Sequence, residues 1–129
     1  MTEILSDNEL SRYSRHILMP EIGLSGQEKL KGAKVLVVGA GGLGCPALQY
    51  LVAAGVGTIG IIDNDVVDES NLQRQILYNV SMIGTNKALA SKQQLEKLNP
   101  EITINAFPFL LSCENAVEKF REYDVIVDG

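Results

Sequence analysis

One short segment constrains the fold more than any other: an apolar run that leads directly into a cluster of glycines. Residues 34–39 (KVLVVG) are short, apolar and β-branched, which is typical of a strand buried on both faces of a parallel sheet. Glycines continue to Gly44, and a helical stretch follows at 45–54, with Pro46 in its first turn. A second apolar run at 58–63 completes a strand–turn–helix–strand unit, whose crossover is expected to be right-handed.

The remaining residues continue this alternation of helices and strands. We predict helices at 6–18, 25–31, 85–98 and 112–122, a less buried strand at 101–107 and a buried strand at 124–128. Ser6 and Glu9 have the spacing of a capping box at the first helix. The predicted fold is therefore α/β: a Rossmann-like, mostly parallel sheet with helices on both faces and an N-terminal helical extension.

The chain divides into a helical extension at 1–32 and a Rossmann-like half-domain at 33–129. Because its last residues form an apolar strand, which rarely ends a complete domain, we expect a fold truncated after the fourth strand. The C-terminal half of such a fold would then be absent.

Composition and charge limit the kinds of partner and the location that we expect for this chain. The formal charge is −5 and the Lys and Arg residues are scattered, so a nucleic-acid partner is not expected. No apolar stretch approaches the ~18 to 20 residues of a membrane span, and the polar N-terminus is unlike a signal peptide, which favours the cytoplasm. Cys45 and Cys113 form no C-x-x-C pair, so we expect buried or half-buried thiols, no disulfide and no metal site.

The glycine cluster carries the first chemical prediction. Gly39, Gly41, Gly42 and Gly44 lie between a strand and a helix, where glycine lets the backbone approach a phosphate without a Cβ in the way. Free N–H groups and the helix dipole favour an anion there. Asp63 ends the second strand, where a carboxylate can accept hydrogen bonds from ribose hydroxyls and repels a 2′-phosphate. These residues predict a nucleotide site and leave NAD and ATP both open.

Residues 64–84 and the start of the next helix favour ATP over NAD as the nucleotide. This polar segment is too long for a simple connection, and long loops are often functional. Asn71 and Arg74 are one helical turn apart and could share a face, and Lys87 follows at the start of the next helix. Phosphoryl or nucleotidyl transfer needs such cations because negative charge grows on phosphate oxygens, whereas a dinucleotide site does not need them.

The chain resembles the N-terminal half of the ThiF/MoeB/HesA family, bacterial relatives of ubiquitin-activating enzymes. The resemblance covers nearly all of the chain and rests on the GAGGLG turn, a D-x-D, an S-N-L-Q-R-Q run and a G-x-x-K. It implies that Gly42 lies against the ATP phosphates, that Asp63 holds the ribose and that Asn71, Arg74 and Lys87 grip the triphosphate. Ser70, Leu72 and Gln73 would line the same pocket.

The family further implies a partner copy and a reaction. Arg15 is expected to reach the ATP site of a neighbouring subunit in a homodimer, whereas His16 beside it is given no role. The implied reaction is adenylation, with ATP and Mg²⁺, of a ubiquitin-like sulfur-carrier protein that ends in Gly-Gly. The family's zinc-binding cysteines and a further Asp thought to hold magnesium are missing, so the chain alone is expected to be inactive.

Two alternatives remain at this point. An NAD-binding domain of a dehydrogenase explains the glycine-rich turn and Asp63 but leaves Asn71, Arg74 and Lys87 unexplained. A non-catalytic module that dimerises without chemistry explains the expected truncation. Tight NAD binding would favour the first, and a folded nucleotide site without turnover would favour the second.

Overall fold

The computed structural model describes residues 4–129, which form one four-stranded parallel sheet with helices packed around it. The strands are β1 Lys34–Val38, β2 Thr58–Ile62, β3 Thr103–Phe107 and β4 Val125–Asp128, and they lie in the order β3-β2-β1-β4. The helices are α1 Asp7–Arg12, α2 Ser14–Ile17, α3 Gly23–Gly32, α4 Gly44–Ala54, α5 Lys87–Leu98 and α6 Cys113–Arg121. The predicted Rossmann-like α/β fold is confirmed.

The register of the sheet brings the ends of the strands to one edge. Val38, the last residue of β1, pairs with Ile62 of β2 and with Asp128 of β4, and Ile62 pairs in turn with Phe107 of β3. All strands run in the same direction, so the segments after each of them meet at this carboxyl edge. Ligands of open α/β sheets bind at this edge.

Alternation along the strands divides the core between the two faces of the sheet. Val35 and Val37 of β1 pack in the larger cluster, which includes Leu48 of α4 and Leu95 of α5. Leu36 points to the opposite face and packs with Tyr123, which follows α6. A strand that lies between two others and is covered on both faces requires an apolar run. This is why residues 34–39 predicted a buried strand of a parallel sheet.

The ends of the helices follow from local chemistry. The predicted capping box of Ser6 and Glu9 is confirmed, and Gly55 ends α4 with φ 91°, a conformation that favours glycine. Helix α5 begins two residues later than predicted because the side chain of Asn86 caps it, accepting the backbone N–H of Ala88 and Leu89. None of the helices in residues 4–129 has the length and apolar character that crossing a membrane requires.

The predicted helix 6–18 is wrong as a single element. The chain leaves the helical conformation at Tyr13, between α1 and α2. The ring of Tyr13 is buried close to Gly55, and its hydroxyl accepts a hydrogen bond from Asn99 Nδ2 at 2.8 Å. Contacts with residues distant in sequence therefore accompany the break, and the periodicity of the segment could not reveal them.

Two predictions of burial are also wrong. Strand β4 was expected to be buried, but it lies at the edge of the sheet, paired only with β1, and Val125 is 52% exposed. Cys113 was expected to be at least half-buried, but it is exposed at the start of α6, whereas Cys45 is fully buried. Residues 64–84 contain two short 3₁₀ helices, Glu69–Asn71 and Val80–Met82.

Candidate functional site

The glycine-rich turn joins β1 to α4 at the carboxyl edge, and its glycines have different physical roles. Gly39 has φ 95°, and a Cβ on Gly44 would lie 1.9 Å from the carbonyl oxygen of Gly39, so these two glycines shape the turn. A Cβ on Gly41 or Gly42 would meet only side chains, at 3.7 and 3.9 Å. The middle of the turn therefore presents backbone that a ligand can approach.

Three side chains hold Ala40, in the middle of this turn. Its N–H donates to Asp63 Oδ2 at 2.8 Å, and its carbonyl oxygen accepts from the Tyr78 hydroxyl and, at 3.3 Å, from the Cys45 thiol. The Tyr78 hydroxyl also lies 3.1 Å from Ser91 Oγ. Burial raises the pKa of Tyr78, so the phenol stays protonated and can donate. The turn is thus anchored before any ligand arrives.

The sequence did not reveal the role of Tyr78. It lies in a polar segment with no spacing that relates it to the glycines, and its contact with Ala40 spans 38 residues of chain. Only the fold of residues 64–84 over the turn makes the contact.

Asp63 joins the turn to the segment that follows β2. Its Oδ2 accepts the N–H of Ala40, its Oδ1 accepts the N–H of Asp65 at 2.8 Å, and its carbonyl oxygen accepts Asn86 Nδ2 at 2.9 Å. Each carboxylate oxygen keeps a lone pair for a further donor. The ribose contact stays a prediction, and the hydrogen bonds add a second role in which Asp63 fixes the turn.

Residues 70–74 form a compact turn beside the glycines. Asp68 caps the 3₁₀ helix Glu69–Asn71, and hydrogen bonds from the hydroxyl and N–H of Ser70 lower the pKa of its carboxyl. Asn71 Oδ1 accepts the N–H of Asp68 at 2.9 Å. The Ser70 carbonyl oxygen accepts from Gln73 Nε2 at 3.5 Å and from Arg74 Nη1 at 3.3 Å. Leu72 is half-buried against the larger core cluster.

The two predicted phosphate-binding cations flank the turn differently. Arg74 is exposed, and its Nε lies 3.9 Å from the position that a Cβ on Gly42 would occupy. Lys87 is only 7% exposed at the start of α5, where its N–H donates to the carbonyl oxygen of Asp65 at 2.9 Å. Burial raises the pKa of the Cys45 thiol, whereas the hydrogen bond with Tyr78 and the charge of Lys87 act in the opposite direction.

Lys87 carries its charge without an ion pair among residues 4–129. The two salt bridges found there join Lys31 to Glu9 and Lys119 to Glu122. Buried side chains of lysine usually pair their charge with an anion. Lys87 has no such partner in residues 4–129, so its ammonium is available to an anion at the start of α5.

A cleft of about 220 Å³ opens at the same edge. Val38 and Ile62, at the ends of β1 and β2, form one wall together with Asp63, and the apolar run 109–111 forms the other. Residues 109–111 (FLL) were not predicted to belong to the site, although a short apolar run directly after a strand was a signal of it. The cleft offers apolar walls and the two carboxylates of Asp63 and Asp65.

Arg15 does not join this site within one chain. Nδ1 of its neighbour His16 lies 3.2 Å from Gln27 Oε1, and Gln27 Nε2 donates to the carbonyl oxygen of Ala54. Ala54 is the last residue of α4, so Arg15 lies near that end of the helix. The glycine-rich turn precedes the first residue of α4. Since a helix rises 1.5 Å per residue, about 16 Å separates the two ends of this 11-residue helix.

The described residues form no group of three or more His, Cys, Asp or Glu side chains that could hold a metal ion. Asp63 and Asp65 are neighbours, but the Asp63 carboxylate already accepts two backbone N–H groups. Mg²⁺ commonly binds through one or two carboxylates together with substrate phosphates. The residues present therefore do not make a metal site by themselves.

Comparison with known proteins gives consistent matches. The profile of the ThiF family matches residues 13–129. The probable adenylyltransferase/sulfurtransferase MoeZ of Mycobacterium tuberculosis is 53% identical over 125 residues, which are 97% of this chain and 32% of MoeZ. The sulfur carrier protein adenylyltransferase of Thermus thermophilus is 52% identical over 121 residues, which are 94% of this chain and 45% of that protein.

A solved structure agrees with the sequence matches. The E. coli tRNA N6-threonylcarbamoyladenosine dehydratase TcdA, crystallised in complex with ATP, superposes with a TM-score of 0.91 at 26% identity. The match covers 98% of this chain and 52% of TcdA. The chain spans less than half the length of the two relatives above and about half of TcdA.

Proposed function

The chain belongs to the ThiF family, and from this premise we propose that it is the nucleotide-binding part of an enzyme that adenylates a ubiquitin-like sulfur-carrier protein ending in Gly-Gly. The names of MoeZ and of the Thermus protein support an adenylyltransferase, and the ATP complex of TcdA supports ATP as the nucleotide. The carrier, its pathway and the reaction are part of the proposal.

The proposed reaction needs no nucleophile from the protein. A carboxylate oxygen of the carrier's terminal glycine bonds to the α-phosphorus of ATP, and the bond from that phosphorus to the oxygen bridging to the β-phosphate breaks. Pyrophosphate leaves with the electron pair, and an acyl-adenylate remains on the carrier. Catalysis then consists of holding the two reactants together and stabilising the negative charge on the phosphates.

The observation that carries the proposal is the pair of cations at the glycine-rich turn. Arg74 approaches Gly42, and Lys87, at the start of α5, makes no ion pair among the described residues. A triphosphate laid on the turn would give Lys87 its missing anion and would receive N–H donors from Gly41 and Gly42. Ser70, Asn71, Leu72 and Gln73 would form the wall that carries Arg74.

The nucleoside would occupy the neighbouring cleft. Its apolar walls, formed by Val38, Ile62 and the run 109–111, suit a purine ring, and Asp63 lies where ribose hydroxyls would donate to its free lone pairs. Gly39 lines the cleft and also begins the turn, so the cleft adjoins the turn. This layout supports ATP with its base at the sheet edge and its phosphates on the turn.

We propose no metal ion bound by this chain's residues alone. Mg²⁺ would accompany ATP as a counter-ion that neutralises its phosphates, and no step is assigned to it because the described residues form no metal cluster. Zinc is proposed only for the part of the relatives' length that this chain does not span.

Arg15 would act on the ATP site of a second copy in a homodimer. An apolar groove of about 350 Å³ runs along α4 between Pro46, Tyr50, Ile76 and Leu98. Two copies packed across this groove with antiparallel α4 helices would set the Ala54 end of one helix beside the Gly44 end of the other. Arg15 lies near the Ala54 end, so this arrangement supports a contact in trans.

We propose that the two parts of the chain, 1–32 and 33–129, have different functions. Residues 1–32, of which 1–3 lie outside the described part, would supply the dimer contact, and 33–129 would bind the nucleotide. A cytoplasmic location is proposed for the enzyme. Since the chain spans less than half of the two adenylyltransferase relatives, we also propose that it has little turnover alone.

Calorimetric titration with ATP and with NAD tests the proposed site. We expect the chain to prefer ATP and Arg74→Ala to bind ATP about tenfold more weakly, because a charge-assisted phosphate contact is lost. Arg121→Ala removes an exposed arginine from the end of α6 and is the matched control. A preference for NAD, or equal ATP affinity in Arg74→Ala, would support the dehydrogenase domain instead.

Exchange of labelled pyrophosphate into ATP, with a carrier protein present, tests the turnover. The chain alone is expected to give little exchange, and robust exchange would contradict its proposed inactivity. Absence of any ATP binding in the titration would contradict the proposal that these residues hold the nucleotide.

A further inference from the structure

Gln75 carries an unpaired polar atom next to the glycine-rich turn. The residue is 3% exposed, and its Oε1 is the buried side-chain oxygen for which no hydrogen-bond partner exists in residues 4–129. Buried side-chain amides are normally paired, because an unmade hydrogen bond leaves the cost of removing the group from water uncompensated. Such an exception in an otherwise satisfied interior calls for a functional reason.

Two hydrogen bonds hold the backbone of Gln75, whereas its carboxamide oxygen has no hydrogen-bond partner in residues 4–129. Its N–H donates to the Asn71 carbonyl oxygen at 2.8 Å, and its own carbonyl oxygen accepts the N–H of Tyr78 at 3.2 Å. The side chain extends to the turn, where Nε2 lies 3.7 Å from the position of a Cβ on Gly41. Arg74, the preceding residue, approaches Gly42 in the same way.

Packing alone does not explain a glutamine here. An apolar side chain of the same length, such as methionine, would fill the space without an unpaired oxygen. A carboxamide is useful beside Gly41 because its N–H₂ end can donate to an anion without adding charge. The unpaired oxygen is then the cost of presenting a donor at that place.

We propose that Gln75 is a positioning residue for the nucleotide, and that its carboxamide N–H donates to a phosphate oxygen lying on Gly41 and Gly42. The inference rests on the proposed function, in which that turn binds the phosphates of ATP. Arg74 and Lys87 would supply charge, whereas Gln75 would supply a neutral, directional donor beside Gly41. Its contribution should therefore depend on the phosphates and not on the nucleoside.

The test combines nucleotide binding with the stability of the free protein. Gln75→Met should bind ATP about tenfold more weakly, bind adenosine unchanged, and melt at a temperature equal to that of the wild type or up to about 4 °C higher. A merely structural glutamine would lower the melting temperature instead. Gln93→Met, an exposed glutamine on α5, is the matched control and should change none of the three values.

Gln75→Glu tests the same contact without loss of shape. The carboxylate would face the phosphates, so ATP affinity should fall further than in Gln75→Met while adenosine affinity stays the same. ATP affinity within twofold of the wild type in both variants overturns the inference but leaves the proposed function intact. A wild-type chain that binds adenosine but gains nothing from the phosphates overturns both.

Discussion

Ala40 contributes only a methyl group to the glycine-rich turn, yet three side chains bind its two backbone groups. Asp63 accepts its N–H, and Tyr78 and Cys45 donate to its carbonyl oxygen. These hydrogen bonds hold the turn from its middle, between Gly39 and Gly41. At the scale of single residues, the turn is a backbone conformation fixed by the side chains of Asp63, Tyr78 and Cys45.

The glycines of the turn should differ sharply in their tolerance of substitution. Gly44→Ala would place a Cβ 1.9 Å from the Gly39 carbonyl oxygen, a backbone atom that cannot move without opening the turn. We expect it to lower the free energy of unfolding by about 3 kcal/mol. Gly42→Ala, whose Cβ would meet only Arg74 Nε at 3.9 Å, is the matched variant and should stay within about 0.5 kcal/mol.

Urea unfolding measures both glycine variants. Equal stability losses would contradict the division of the turn into shaping and ligand-facing glycines. Gly42→Ala should still weaken ATP binding, because its methyl group would occupy the place proposed for a phosphate.

At the scale of elements, polar side chains tie the N-terminal helices to one another and to the ends of α4 and α5. Glu9 of α1 bonds Lys31 of α3 at 2.8 Å, and Tyr13 between α1 and α2 accepts from Asn99 after α5. Gln27 of α3 donates to the carbonyl oxygen at the end of α4. These contacts set Arg15 at the end of α4 that is remote from the glycine-rich turn.

The ion pair of Glu9 predicts sensitivity to acid. Burial alone would raise the pKa of this carboxyl, but hydrogen bonds from Lys31 and Ser6 bring the pKa below its ordinary value. A lowered pKa in the folded state gives stability that is complete above the unfolded value, about 4.3, and is lost as pH falls through the folded value. The stabilisation by Glu9 should therefore fade below about pH 4.3.

Thermal unfolding of Glu9→Gln at several pH values tests this prediction. The variant should be less stable than the wild type at pH 7, and the difference should shrink as the solution is acidified. Glu118→Gln changes an exposed carboxyl on α6 and is the control. A difference that stays constant down to pH 3 would show that the charge of Glu9 is not what stabilises the helices.

At the scale of the whole molecule, the groove along α4 is the feature that a second copy would cover. Tyr50, 77% exposed in the middle of α4, lies in this groove with Pro46, Ile76 and Leu98. Apolar side chains on a helix face normally pack against another element. The proposed homodimer would bury them and bring Arg15 to the site of the other copy.

Sedimentation of Tyr50→Glu tests the homodimer. We expect the wild type to sediment as a dimer and the variant at about half that mass, because a carboxylate in an apolar interface loses its water without gaining a partner. Folding should be little changed, since the side chain is exposed in the single chain. Val117→Glu, exposed on α6, is the control; a monomeric wild type, or a dimeric variant, would contradict the proposed interface.

Local patterns were sufficient to predict most of the fold and part of the site. Apolar runs of strand length, caps such as Ser6, and glycines followed by a helix express steric and hydrogen-bonding needs that act over a few residues. The order of elements, the parallel sheet and the glycine-rich turn therefore followed from sequence. The choice of Arg74 and Lys87 followed from charge near a predicted turn, and their phosphate contacts stay a prediction.

Only the tertiary structure decided what depends on distant contacts. Tyr78 bonds to Ala40, and Gln75 places Nε2 beside Gly41 while its Oε1 has no partner in the described residues. The helix is interrupted at Tyr13, which packs against Gly55, and β4 lies at an edge although its composition is that of a central strand. Each depends on which elements become neighbours, and hydrophobic periodicity does not contain that information. Sequence determined which segments form the frame of the site, and packing determined which side chains complete it.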